Sequence, residues 1–205
     1  MLTTVEVDIG MTKWTRTIVE GEEHNHGFVK QSPELDSANV TMSRSENGAD
    51  LDAPKVTSYI KKMTVMKTTN SGFESYLIDK YTLLPQTSER CMATELDCTW
   101  SYVSNNQLDY FEIREKLRSQ ILLGFFGPAE KGVYSPSLQA TIYDIGCLIL
   151  QAVSEIETTR IDTPNLHYLP MKALDQLGEK FEDDIFIPTS EPSGTITCTV
   201  GRTML

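Results

Sequence analysis

One segment alternates between apolar and polar side chains, and it limits the possible folds more than any other part of the chain. Between residues 92 and 103, one set of alternate positions is mostly apolar: Met92, Thr94, Leu96, Cys98, Trp100 and Tyr102. The other set is mostly polar: Ala93, Glu95, Asp97, Thr99 and Ser101. Successive side chains of a strand point to opposite faces, so the pattern predicts a strand with one buried and one solvated face. Such strands are typical of antiparallel sheets.

Two amphipathic helices are predicted directly after this strand. Asp109 and Glu112 have the spacing of a capping box, and Gly127-Pro128 ends the first helix. Its apolar residues recur every four positions: Ile113, Leu117, Ile121 and Phe125. The second helix is predicted to open at Ser135-Pro136, with a serine N-cap and a proline in the first helical position. Its apolar stripe is Leu138, Ile142, Ile145, Ile149 and Val153.

Most other segments have strand patterns, so helices and strands are segregated along the chain. The predicted strands cover residues 5–9, 13–20, 24–30, 40–42, 56–66, 161–169, 183–187 and 195–200. Residues 31–37, which contain Pro33, and residues 43–54 are predicted loops. Helices that are segregated in this way cover one face of an antiparallel sheet. The sequence therefore predicts an α+β fold.

Residues 67–84 combine the end of a strand with a loop and a helical pattern. Apolar side chains recur at steps of three and four: Phe73, Tyr76, Leu77, Tyr81 and Leu84. Ser71 and Glu74 have capping-box spacing, which predicts that a helix starts at Ser71. Phe73 would then lie beside exposed backbone N–H groups, a surface that suits a flat polar ligand. The alternative is that Phe73 is the first residue of an ordinary amphipathic face.

The composition excludes several functional classes. A net charge of −11 argues against a nucleic-acid or anionic-membrane partner, and no apolar run approaches membrane-spanning length. The cysteines are scattered and form no Cys-x-x-Cys pair, so buried, reduced thiols are expected. His24 and His26 form a His-x-His pair, but the remaining histidine, His167, is far along the chain. No metal site is therefore predicted.

Several separate motifs point to one family. The central motif is Lys-Thr-Thr-Asn-Ser-Gly-Phe at 67–73, followed by Asp-Lys-Tyr-Thr at 79–82 and Glu-Arg at 89–90. Others are Thr-Lys-Trp-Thr-Arg at 12–16, His-Asn-His-Gly-Phe at 24–28, Tyr-Ser-Pro-Ser-Leu-Gln-Ala-Thr at 134–141, Pro-Asn-Leu-His-Tyr at 164–168 and Thr-Ile-Thr-Cys-Thr-Val-Gly-Arg at 195–202. In this order and spacing, from about Val5 to Arg202, they resemble the urate oxidases, or uricases.

This resemblance implies a fold and an assembly. The family has the tunnelling fold (T-fold), an antiparallel sheet with two long helices packed on one face. Family members carry two such units per chain and form homotetramers with active sites at subunit interfaces. Residues 1–205 match the C-terminal T-fold domain, and the first T-fold domain has no match in this sequence.

The resemblance also implies an activity. Urate oxidases convert urate, O2 and water to 5-hydroxyisourate and hydrogen peroxide in purine catabolism. They use O2 as co-substrate and need no metal or organic cofactor. Their proton relay needs a lysine and a threonine of a neighbouring subunit's first unit, so the isolated chain is expected to be inactive. The alternative is a catalytically incomplete T-fold fragment that binds purines or uricase subunits without turnover.

Localisation follows from the family as an expectation. The resemblance implies a peroxisomal protein. Thr203-Met204-Leu205 stands where the family usually ends in a Ser-Lys-Leu-type signal. A cytoplasmic protein and a truncated chain are therefore the alternatives.

Four residues are predicted to bind the substrate. Arg90 carries a planar, always charged guanidinium that can contact two acceptors of a flat anion; the alternative is a surface ion pair with Glu89 or Asp79. Gln139 offers a donor and an acceptor near a helix N-terminus, although a solvated glutamine is the alternative. The resemblance matches both to the family's urate-binding residues. It also matches Phe73 to a ring that stacks on urate and Leu138 to a backbone contact.

Two further residues are predicted to be catalytic. Asn165 and His167 are two apart in an extended segment, so their side chains point to the same side. An amide and an imidazole could hold water or dioxygen above a ligand and pass a proton. The alternative is a hydrogen-bonded structural pair. In the family, the matching asparagine and histidine line the oxygen and water site.

Overall fold

A computed structural model describes most of the chain. The described residues are 3–19, 21–45, 50–83, 85–171, 177–178, 185–189, 191 and 193–204; the side chains of residues 24, 31, 32, 170 and 204 are not described. The strands are β1 (Thr4–Val19), β2 (Glu22–Ser43), β3 (Lys55–Lys67), β4 (Met92–Tyr102), β5 (Ile156–Pro170), β6 (Phe186–Thr189) and β7 (Thr195–Gly201). The helices are α1 (Tyr110–Phe126), α2 (Leu138–Ala152) and a short 3-10 helix (Arg202–Met204).

The described strands form one seven-stranded antiparallel sheet in the order β1-β2-β3-β4-β5-β6. β7 pairs with residues 158–164 of β5, and β6 pairs with residues 167–170 of the same strand. β4 is central, and its burial alternates as predicted. The α+β prediction is confirmed.

The two helices cover one face of the sheet. The apolar stripes predicted for α1 and α2 are buried in a single core with β3, β4 and β5. A polar chain lies inside this core, in which Trp100 Nε1 donates to Tyr102 Oη and Tyr102 Oη donates to Ser58 Oγ, both at 2.8 Å. Asp109 caps α1 by accepting from the backbone N–H of Glu112 at 2.9 Å. The predicted N-cap at Asp109 is confirmed, while the Glu112 carboxylate pairs with Lys116 at 2.7 Å.

The predicted loop at residues 31–37 is wrong, because β2 runs through it. Thr12 pairs with Leu35 and Trp14 pairs with Lys30, so residues 31–34 lie opposite Lys13 alone. The sheet is therefore irregular where Pro33 lies. A proline that cannot donate to the ladder is tolerated at such a bulge.

The predicted helix at Ser71 is also wrong, because the described residues between 71 and 91 form no helix. Ser71 Oγ does not cap a helix; it donates to the backbone carbonyl of Arg90 at 2.6 Å. Phe73 instead pairs through its backbone with Thr87. Leu84 lies outside the described residues.

The start of α2 differs from the prediction by two residues. Ser137 is the N-cap, and its side chain accepts from the N–H of Ala140. The predicted cap, Ser135, lies in a parallel bridge with Ser71. Its backbone is therefore extended and engaged with another segment, so the helix begins after Pro136.

A charged cluster that periodicity did not predict joins β2 to α1. Arg114 Nε donates to Asp36 Oδ1 at 2.9 Å, and Arg114 Nη2 contacts Glu34. Arg118 binds both carboxylate oxygens of Glu34, with Nε–Oε1 at 2.9 Å and Nη2–Oε2 at 3.0 Å. Lys13 Nζ lies 3.5 Å from Asp36 Oδ2. The Arg114 side chain is only 7% exposed. The carboxylates therefore replace the water that would otherwise solvate its charge.

This cluster should make stability depend on pH. Burial raises the pKa of Glu34, but the charges of Arg118, Arg114 and Lys13 outweigh burial and hold it below the ordinary 4.5. The stabilisation is therefore present above pH 4.5 and is lost as the pH falls through the lower, folded-state pKa. We expect Glu34→Gln to lower the free energy of unfolding by about 2 kcal/mol at pH 7.

The difference between the two proteins should shrink at pH values below the folded-state pKa, where the native carboxylate is also neutral. Urea unfolding at a series of pH values measures it. Glu22→Gln, at an exposed position of the same strand, is the matched control. A difference that stays constant from pH 7 to pH 3 would contradict the assigned charge interaction.

Candidate functional site

The predicted site residues share one end of the sheet. β3 ends where β4 begins, because Lys67 pairs with Met92. On β5, Asn165 pairs with Thr94 at this same end. The bridge between Ser71 and Ser135 brings the segment that precedes α2 to this end as well. Residues 68–91, residues 133–137 and the end of β5 therefore surround one region.

Backbone pairing within residues 68–91 brings Phe73 and Arg90 together. The N–H of Phe73 donates to Thr87 O at 2.7 Å, and the N–H of Thr87 donates to Phe73 O at 3.1 Å. The N–H of Arg90 donates to Ser71 O at 2.8 Å. As a result, Cζ of Arg90 lies 5.7 Å from the centroid of the Phe73 ring.

The guanidinium of Arg90 is held at one nitrogen. Its Nε donates to the carbonyl of Gly72 at 2.8 Å, and the hydrogen bonds of the described residues leave Nη1 and Nη2 for a ligand. Burial lowers the pKa of Arg90 from its usual value, but an arginine remains charged at neutral pH. Within the described part of the chain, Arg90 forms no ion pair with Glu89 or Asp79. Asp79 Oδ1 instead accepts from the N–H of Tyr81 at 2.8 Å.

The Phe73 ring is partly exposed and is supported from one side. It stacks on Tyr76, with ring centroids 4.4 Å apart and an interplanar angle of 24°. Such a supported ring is a rigid surface for a flat ligand. The interpretation of Phe73 as the first residue of an amphipathic helix face does not hold, since no helix forms there.

Leu138 and Gln139 begin α2. Leu138 is 2% exposed and packs in the core, so its side chain does not face a ligand. Gln139 is exposed, and its carboxamide has no partner among the described residues. The first N–H groups of a helix lack intrahelical partners and favour anions. This helix end can therefore attract an anion, and the exposed Gln139 side chain can contact it.

Asn165 and His167 lie on the helix-covered face of β5. They continue the alternating row of Thr159, Ile161 and Thr163, which are buried under the helices. Asn165 Nδ2 and His167 Nε2 are 3.5 Å apart, at the long limit of a hydrogen bond. Both side chains are half-buried. The two side chains are therefore in contact, but the hydrogen bond between them is long.

Three more residues shape this region, and the sequence patterns did not single them out. Lys67 donates to three acceptors around residues 125–135, and Gly72 packs directly under Tyr134. Tyr134 Oη donates to Glu74 Oε1 at 2.7 Å and lies 3.3 Å from the carbonyl of Ser88. The available signal was the position of all three inside motifs that already contained predicted site residues.

The described residues also bear on metal and membrane binding. They contain no group of three or more His, Cys, Asp or Glu side chains that could hold a metal ion. The His24 side chain, and with it the His-x-His pair, lies outside the described part of the chain. Neither α1 nor α2, the α-helices of the described chain, has the length and apolarity needed to cross a bilayer.

Comparisons with known proteins show the family of the chain. The family model for uricase matches residues 56–197, a range that contains all six predicted site residues. Uricase of Arabidopsis thaliana is 36% identical over 210 residues, covering 97% of this chain and 65% of the relative. Uricase of Oryctolagus cuniculus is 35% identical over 198 residues, covering 97% and 64%. The chain thus spans just under two thirds of the length of these curated relatives.

Solved structures show the same architecture. The crystal structure of uricase from Arthrobacter globiformis superposes with a TM-score of 0.79 at 26% identity, covering 98% of this chain and 63% of that one. Urate oxidase of Bacillus sp. TB-90, in a hyperthermostable mutant, gives a TM-score of 0.75 at 19% identity, covering 98% and 65%, which shows the fold alone. The fold is the α+β tunnelling fold, as expected. The chain belongs to the uricase family.

Proposed function

We propose that this chain is a urate oxidase polypeptide. It supplies the residues that bind urate and the oxygen-side residues, Asn165 and His167, which line the water and dioxygen side of the active site. The observation that carries the proposal is the contact between Phe73 and Arg90. An aromatic ring adjoins a helix N-terminus together with a cation, two of whose nitrogens form no hydrogen bond within the described part of the chain. Together they suit a flat anion with acceptors on its edge.

Each substrate-binding group has a separate role. Urate is planar, so it stacks on Phe73 while the Arg90 guanidinium contacts two acceptors on its edge. Gln139 offers a donor and an acceptor to the opposite edge, and the Leu138 N–H adds a backbone contact. These contacts fix the orientation of the ring, and orientation accounts for much of the barrier that an enzyme removes.

The oxygen-side residues handle protons and water. The electron-rich urate ring gives two electrons to O2, which takes up two protons and leaves as hydrogen peroxide. Water adds to the oxidised ring and forms 5-hydroxyisourate. The imidazole of His167 can accept and release a proton, and the amide of Asn165 can hold the water or dioxygen. In this proposal O2 is the co-substrate, and neither a metal nor an organic cofactor takes part.

The proposal includes an assembly. Residues 1–205 act as the C-terminal T-fold part, and the lysine and threonine of the relay come from a first unit of a neighbouring subunit in a tetramer. Many large apolar side chains of β1 are exposed, including Val5, Val7, Ile9 and Trp14. Exposed apolar patches of this kind favour contact with further polypeptide. By analogy with the family, we propose that the reaction belongs to purine catabolism and takes place in the peroxisome.

The direct test follows urate absorbance and O2 uptake with this chain, and measures binding of the planar urate analogue 8-azaxanthine by calorimetry. We expect binding without turnover by the chain alone. Turnover by the chain alone would show that the relay of a first unit is not required. Absence of binding would contradict the proposed site.

Arg90→Ala tests the central residue of this site. Losing a charge-assisted contact to two acceptors should weaken analogue binding at least tenfold, about 1.4 kcal/mol. Arg160→Ala is the matched control, because Arg160 is exposed and pairs with Asp162 at 2.8 Å on the other face of β5. Unchanged affinity of Arg90→Ala would reject Arg90 as a urate-binding residue.

A further inference from the structure

Lys67 is a half-buried lysine whose ammonium joins three segments. Its Nζ donates to the carbonyl of Phe125 at 3.1 Å, to the carbonyl of Val133 at 2.9 Å and to Ser135 Oγ at 2.7 Å. An ammonium has three protons, so these acceptors use its full donor capacity. Nζ also lies 5.7 Å from the centroid of the Phe125 ring. In the described chain, Lys67 forms no ion pair with a carboxylate. Its hydrogen bonds therefore hold neighbouring segments in position and do not balance a negative charge.

The three acceptors lie at the end of α1 and in the segment before α2. Phe125 is in the last turn of α1, where carbonyls lack intrahelical partners. Val133 and Ser135 belong to the segment that leads into α2. Lys67 is the last residue of β3, directly before the segment that carries Phe73 and Arg90. One side chain therefore connects the end of α1 and the segment before α2 to the start of the segment that carries Phe73 and Arg90.

The same two segments are also paired along their backbones. The N–H of Gly72 donates to Ser135 O at 2.8 Å, and the N–H of Ser135 donates to Asn70 O at 2.9 Å. The N–H of Glu74 donates to Pro136 O at 3.2 Å. The segment with Phe73 and Arg90 is thus aligned against the residues immediately before Gln139.

We propose that Lys67 is a positioning residue of the urate site: its ammonium sets the spacing between the Phe73–Arg90 segment and the Gln139 end of α2. It touches no substrate itself. Burial lowers the pKa of Lys67 to about 8, so the group is still mainly charged at neutral pH and can donate to all three acceptors. This inference rests on the proposed function, because Gln139 and Arg90 act there on opposite edges of one ligand.

The first test needs no ligand. In Lys67→Met, hydrogen exchange at the amides of Gly72 and Ser135 should accelerate at least about tenfold, while the amides of central β4 stay unchanged. Lys55→Met, which removes the same charge at the exposed start of the same strand, should leave all of them unchanged. Equal acceleration everywhere, or none at Gly72 and Ser135, would overturn the proposal.

The second test is a double-mutant cycle on binding of 8-azaxanthine. Lys67→Met should weaken binding about tenfold in the native background. In the Gln139→Ala background it should weaken binding less than about threefold, because the spacing between the Phe73–Arg90 segment and residue 139 no longer matters. Full additivity would show general destabilisation and overturn the positioning role. If Lys67→Met does not fold, Ser135→Ala removes one of the three acceptors and should show the same coupling more weakly. If the native chain fails to bind the analogue, the proposed function fails, and the exchange experiment still decides whether Lys67 sets the spacing.

Discussion

Arg114→Met should destabilise the protein by about 3 kcal/mol or more, the largest effect we expect on stability. The guanidinium of Arg114 is almost fully buried between Glu34 and Asp36. Removing it leaves two carboxylates out of water with one cation fewer, although Arg118 and Lys13 remain near them. An uncompensated buried charge costs more than a lost surface ion pair, which contributes about 0–1 kcal/mol. The melting temperature should fall on the order of 10 °C.

Urea and thermal unfolding of the variant measure this effect. Arg160→Met is the control, since Arg160 has an exposed ion pair and should change stability by less than about 0.5 kcal/mol. The double variant Arg114→Met/Asp36→Leu should recover part of the loss, because it removes a charge that Arg114 no longer balances. A loss below about 1 kcal/mol in the single variant would show that the cluster is screened like a surface pair.

Gly72→Ala should weaken binding of 8-azaxanthine at least about thirtyfold, or 2 kcal/mol. A Cβ at this position would lie 2.3 Å from Tyr134 Oη and 2.7 Å from the carbonyl of Thr87. The tyrosine tip can move, but the Thr87 carbonyl holds the N–H of Phe73. Relief of the clash therefore displaces Phe73 and breaks the geometry that holds Arg90, whose Nε binds the Gly72 carbonyl.

Calorimetry compares this variant with Gly10→Ala, since a Cβ at Gly10 meets nothing within 4 Å. The double variant Gly72→Ala/Tyr134→Phe separates the two clashes. It should bind as weakly as Gly72→Ala, because the Thr87 carbonyl still obstructs the added methyl group. Recovery of affinity would mean that the tyrosine hydroxyl, not the backbone, is the obstacle.

Hydrophobic periodicity predicted the elements in which the pattern of a single strand or helix is enough to show which face is buried. The alternation of β4 and the four-residue repeat of α1 each describe which face of a single strand or helix is covered, and both are confirmed. The same reasoning failed at Ser71. Helical spacing and a capping box are present there, but the backbone of Phe73 finds its partner in Thr87 across a loop. Tertiary pairing outweighed a local helical preference.

The same distinction between local pattern and tertiary contact applies to the candidate site. Its residue types were predicted from motifs, and Asn165 and His167 lie on one side of a strand because side chains alternate. The contact between Phe73 and Arg90 depends on hydrogen bonds between residues 71 and 90. No periodicity reports such a contact, because the two residues belong to no common helix or strand.

By itself, the sequence determined the α+β class, the buried faces of β4, α1 and α2, the family resemblance and the identities of the candidate site residues. Only the tertiary structure decided the irregular path of residues 71–91, the charged cluster of Arg114 and the bonds of Lys67. The physical reason is range. Burial of one face leaves a local trace in the pattern of apolar residues, whereas a hydrogen bond between segments 58 to 78 residues apart leaves none.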